Sequence, residues 1–92
     1  MTNHIRRIVE SQRRAATRGA LSMWTIYDHP TDFPDSFIAR RFEVGGGHGH
    51  AIATEDTVQG DIDALGESFA KAGLICLRRN ENDDPKIVET WL

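Results

Sequence analysis

Two imidazoles stand one residue apart in Gly47-His48-Gly49-His50-Ala51. Histidines at i and i+2 of an extended segment project to the same side and can share a metal ion. The chemistry this suggests is zinc binding, and with it a metal-dependent or His-assisted enzyme, with His29, Cys76 or an aspartate as the third ligand. None of these lies at a recognised metal spacing, and the flanking glycines leave the pair without preorganised geometry. The competing expectation is a polar glycine-rich loop and no cofactor. Tyr27-Asp28-His29 sets a carboxylate beside an imidazole, the combination that orients a general base. Consecutive strand residues point to opposite faces, so the expectation there is an Asp-His-Pro turn in which Asp28 bonds nearby backbone.

Other chemistries are weaker still. No serine sits in a nucleophile elbow, and the glycine run lacks the Gly-Lys-Ser/Thr ending of a phosphate loop. Asp83-Asp84 lacks the alternating oxygens and terminal glutamate of a calcium loop and reads as part of a turn over residues 80–85. Cys76, the single cysteine, is flanked by Leu74, Ile75 and Leu77 and is expected to be a buried, inert thiol that forms no internal disulfide.

Charge divides the 92 residues unevenly. Residues 1–20 carry Arg6, Arg7, Arg13, Arg14 and Arg18 against Glu10 alone, a net of +4, while the remainder carries six basic and thirteen acidic residues, a net of −7. Five arginines can contact phosphates and release counterions, which makes nucleic-acid binding a further reading. The acidic body opposes it, and the arm offers no aromatic for base stacking. Arg40 and Arg41 would join Arg78 and Arg79 in a second basic cluster if the strands that carry them were neighbours. No long apolar run or secretory leader is present, so the expected location is the cytoplasm, with no membrane partner.

These residues need elements to hold them. In the arm, Ile5, Ile8, Val9, Gln12 and Ala16 fall roughly on one helical face, and Gly19 ends the pattern, so residues 1–22 are expected to be disordered or weakly helical. Trp24 and Ile26 alternate with Thr25 and Tyr27, which predicts a strand over 23–28. The prolines of HPTDFPDS then impose a loop. Residues 37–44 form the second strand, with Ile38, Phe42 and Val44 on one face and Arg41 and Glu43 on the other. A short strand over 51–54 precedes a helix expected from Asp56, where Asp56 and Gln59 have capping-box spacing and Val58, Ile62, Leu65 and Phe69 form one stripe. Gly73 is its C-cap. Residues 74–79 and 86–92 complete a hairpin. The expected fold class is α+β: a small, mostly antiparallel β-β-(β)-α-β-β sheet with one helix on one face, forming a single domain over 23–92 behind a basic arm over 1–22.

The strings MWTIYDHPTDFP, FIARRFEV and NDDPKIVETWL resemble those of short uncharacterised bacterial proteins that open on MWTIYDHP and close on NDDP-x-IVE-x-W-hydrophobic. The resemblance spans roughly residues 23–92 and implies a domain that begins at Met23. It implies no activity, and the glycine-histidine stretch departs from that group's pattern. The expected function is therefore a small non-catalytic binding or protein-interaction module. Its partner would be a second copy of itself or another protein, met through sheet surface or an edge strand.

Overall fold

A computed structural model describes residues 3–47, 49–78 and 85–92. The elements run α1 (Asn3–Thr17), β1 (Ala20–Asp28), β2 (Phe37–Gly45), β3 (Ile52–Gly60), α2 (Ile62–Lys71), β4 (Cys76–Arg78) and β5 (Ile87–Trp91). The strands form one antiparallel sheet in the order β3-β2-β1-β5-β4. This is the expected α+β class, with a central strand β1 that pairs on both sides.

Alternation along β1 decides the layering. Trp24 and Ile26 point to one face, where Ile8 of α1 and Leu65 and Phe69 of α2 meet them in a core that also holds Ala39, Val58 and Trp91. Three aromatic rings form its centre: Trp24 and Phe69 lie 5.5 Å apart and tilted, and Phe69 stacks on Trp91 at 5.7 Å. Both helices thus cover the same face.

The arm is ordered as helix because it has a sheet to lie on. Its buried side is Ile5, Ile8, Ser11 and Ala15, rotated from the face expected from the sequence. Small residues at 11 and 15 let the helix approach β1 closely. Gln12 bridges the layers, accepting from the Trp24 indole at 3.1 Å and donating to the Ser22 carbonyl at 3.4 Å. Gly19 takes φ +71 where α1 ends. The joint expected between Ser22 and Met23 falls inside β1, which begins at Ala20.

The helix expected from Asp56 begins later. β3 extends to Gly60, and Asp61 caps α2 by accepting from the Ala64 amide at 2.7 Å. Val58 is buried as expected, but from the sheet, because an inward strand position and a helical stripe both place an apolar residue there. Asp56 instead bonds Arg41. The Gly45–Gly46 turn after β2 presses on the α1–β1 connection, where a side chain at Gly46 would come within 3.2 Å of Ala20, and both glycines have positive φ. At the other end of the chain, Leu92 and Ile75 exchange both backbone hydrogen bonds, which seats the C-terminal residues in the sheet as expected.

Candidate functional site

Among the described residues, no helix lies on the second face of the sheet. Register pairing places Leu21, Met23, Thr25 and Tyr27 of β1 opposite Val44, Phe42, Arg40 and Ile38 of β2 on this face. Ala53 and Thr57 extend it on β3, and Thr90 and Leu77 on β5 and β4. Leu21, 52 % exposed, and Val44, 36 %, make one end apolar, and on the β4 edge Ile75 is 71 % and Leu77 43 % exposed, Leu77 lying level with Thr25 and Arg40. In a chain with 27 % charged residues, Arg40 is the only Asp, Glu, Lys or Arg among these register positions. Arg40 is half-buried and donates to the Thr54 carbonyl at 2.7 Å.

The other end of this face is walled by the loop between β1 and β2. Pro30, Asp32 and Phe33 of the loop and Tyr27, Ile38 and Arg40 of the sheet line a half-open cavity of about 180 Å³. Ile38, on a face without a helix, is only 2 % exposed because this loop lies against it. Turns bonded from Phe33 to Pro30 and from Ser36 to Phe33 shape the loop. His29 starts it in the left-handed region at φ 46, uncommon for a residue other than glycine. That conformation takes His29 out of the strand alternation, so its Nδ1 meets the Asp28 carboxylate at 2.5 Å and its ring packs edge-on to Phe37. The sequence expectation that the two could not easily pair is corrected by this single dihedral angle.

The helix-covered face holds a buried ionic network. Arg41 donates to Glu43, Ser22 and Asp56, each at 2.8 Å, and Arg18 at the end of α1 reaches the same Glu43 carboxylate. Arg41 and Glu43 are 6 % and 8 % exposed. The hydrogen bond from Arg41 holds the Glu43 carboxyl below the ordinary glutamate value of 4.5 against the opposing effect of burial, and the charges of Arg41 and Arg18 act in the same direction. With every charge paired, this network is a structural tie between α1 and the sheet.

The candidate site residues are dispersed. His29 and His50 lie beyond opposite ends of the β1–β2 pair, which nine-residue strands hold on the order of 25–30 Å apart, so they do not meet. His50 is exposed, and His48 lies outside the described residues. No group of three or more His, Cys, Asp or Glu able to hold a metal ion occurs among the described residues. Of the arm arginines, Arg6, Arg13 and Arg14 are exposed, Arg7 donates to the Thr57 carbonyl at 2.8 Å, and Arg18 joins the buried network.

Cys76, expected to be buried, is exposed on the edge strand β4. Partial desolvation and the Glu89 carboxylate raise its pKa, which keeps the thiol protonated and a poor nucleophile. The second basic cluster does not form: β1 and β5 separate β2 from β4, and Arg41 is buried. Arg79 and the expected turn with Asp83-Asp84 lie outside the described residues.

No family model, curated protein or solved structure matches the chain. Among the described residues no helix is long and apolar enough to cross a membrane.

Proposed function

We propose that this protein is a small non-catalytic interaction module that self-associates through the open face of its sheet. The observation that carries this reading is the exposed apolar surface of that face, Leu21 and Val44 at one end and Ile75 and Leu77 along the β4 edge, with Arg40 the one charged residue among its register positions. Depletion of charge with retention of large apolar side chains is the compositional mark of an interface centre. A second copy is the occupant that fits. A twofold contact requires one patch to complement itself, and a nearly uncharged apolar patch does so without opposing like charges. Strands about 4.8 Å apart and about 3.3 Å per residue give the face an area on the order of 600 Å², near the roughly 800 Å² each partner gives to a standard interface.

The edge strand β3 is the less suitable surface. A register shift interrupts it between its pairings with Arg40 and Phe42, and Glu55 and Asp56 lie within the shift. Bulges and charges of this kind protect an edge from further pairing.

Sedimentation equilibrium on the full chain tests the proposal. The expected species is a dimer at tens of micromolar that the Leu21→Glu, Val44→Glu double variant converts to a folded monomer, with its far-ultraviolet circular dichroism unchanged. A wild-type monomer at about 100 μM, a concentration at which micromolar affinities saturate, or a double variant that remains dimeric, would overturn it.

A further inference from the structure

We propose that the cavity between the β1–β2 loop and the open face binds a free, zwitterionic α-amino acid with an apolar side chain no larger than one aromatic ring. The site lies at the far end of the face from Leu21 and Val44, and the inference does not rest on self-association.

Size sets the first limit. The cavity of about 180 Å³ falls well below the roughly 300 Å³ at which drug-sized ligand pockets begin, and a cavity of about 150 Å³ holds a benzene ring. The site therefore admits one small metabolite or one side chain. Its walls are Tyr27, Phe33, Pro30 and Ile38, which offer aromatic and aliphatic surface to an apolar group.

Charge sets the second. Arg40 and Asp32 line the same cavity, yet they make no ion pair with each other within 4.0 Å, although other opposite charges in the molecule do close such pairs. The Arg40 guanidinium has five N–H donors in a fixed fork, and the hydrogen bond to the Thr54 carbonyl employs one of its nitrogens. The remaining fork suits a carboxylate, held bidentately. Asp32 is exposed on the loop and suits an ammonium group. A ligand bearing one group of each sign, joined to an apolar side chain, satisfies both charges and the walls and leaves the site neutral.

The loop that supplies Asp32 and Phe33 is fixed at its start by strain. His29 is held at φ 46 by its bond to Asp28 and its contact with Phe37. Unfavourable backbone angles persist where the surroundings over-determine them, and they cluster at ligand clamps.

The test is isothermal titration of the full chain with L-phenylalanine, and in parallel with N-acetyl-L-phenylalanine, L-phenylalanine amide and L-serine. Phenylalanine is expected to bind saturably. Removing either charge should weaken binding about tenfold or more, as expected for a lost charge-assisted hydrogen bond, and serine should not bind. Asp32→Asn, a change at an exposed loop position, should abolish the preference for phenylalanine over its N-acetyl form. Arg40→Met should abolish the preference over the amide, and if that variant fails to fold, the analogue series on the unaltered protein still decides. Absence of saturable binding of phenylalanine, tyrosine and leucine up to about 10 mM, weaker than any millimolar site, would overturn the proposal. Equal binding of phenylalanine and N-acetyl-phenylalanine would also overturn it, by assigning the cavity to the terminal residue of a peptide.

Discussion

On the face of the sheet beneath α1 and α2, Arg41 and Glu43 are almost fully buried, while on the opposite face Leu21 is half exposed and Phe42 and Val44 have no helix over them. Water alone would select the reverse. Charges are tolerated beneath the helices because each has a partner: Arg41 bonds three oxygens, and Glu43 receives two guanidinium groups from separate elements. A buried charge with every bond made is no longer a large penalty, whereas one left unmade is. The open face has no such compensation for its apolar side chains, and a second copy of the chain would supply it.

The two faces should respond very differently to truncation. Trp24→Ala on the covered face removes an indole that packs on Phe69 and bonds Gln12, and is expected to cost about 3–5 kcal/mol of unfolding free energy. Leu21→Ala on the open face, measured at concentrations too low for association, should change stability by less than about 0.5 kcal/mol. Urea denaturation of the two variants makes the comparison. A loss of similar size at both positions would mean that the open face is already covered within the monomer.

The ionic network offers a sharper version of the same contrast. Glu43→Ala leaves Arg41 buried with Asp56 and Ser22 but without one of its two carboxylates, and removes the partner of Arg18. The expected loss is about 2–4 kcal/mol, below the Trp24 effect because one acidic partner remains. Arg41→Met combined with Glu43→Leu removes both charges and should recover most of that loss in chemical denaturation, since paired charges rarely outperform an apolar pair of the same volume. A double variant no more stable than Glu43→Ala would show that the network contributes geometry an apolar pair cannot replace.

Strands β1, β2 and β5, the pairing of β4 with β5, and the helical stops at Gly19 and Gly73 were legible because each rests on local chemistry. Alternation marks Trp24 and Ile26, proline excludes the loop from the sheet, and glycine permits a left-handed turn. Three features were not legible, each for a long-range reason. Arg41 read as part of a basic cluster with Arg40, Arg78 and Arg79, and its burial with Glu43 depends on Arg18, Ser22 and Asp56 being brought to the pair by the fold. The arm read as marginal because its four buried residues suffice only with a sheet beneath them. The start of α2 was misplaced because Asp56 satisfies the spacing of a cap, and only its bond to Arg41 reveals a strand residue. The cavity at Tyr27 and Arg40 lies between these cases: HPTDFPDS is recognisable as a loop, but no periodicity signals its return onto the open face.

Acid titration separates the covered charges from those in water. The folded Glu43 carboxyl titrates below its ordinary value because Arg41 and Arg18 favour the charged form. A depressed folded pKa gives stability that is complete above the unfolded pKa of 4.5 and disappears as pH falls through the folded value. The difference in unfolding free energy between wild type and Glu43→Gln should therefore be constant from pH 7 to near 5 and shrink below about pH 4.5. Glu67, paired at 2.7 Å with Lys71 on the exposed side of α2, is shifted in the same direction by that hydrogen bond and charge. Salt distinguishes the two. At about 1 M the screening length is about 3 Å, which removes the effect of an exposed pair and leaves a buried one largely intact. Any difference made by Glu67→Gln should vanish at high salt, while that of Glu43→Gln should survive. Loss of both at high salt would show that water reaches the Arg41–Glu43 network, and the contrast between the two faces would then rest on the apolar core alone.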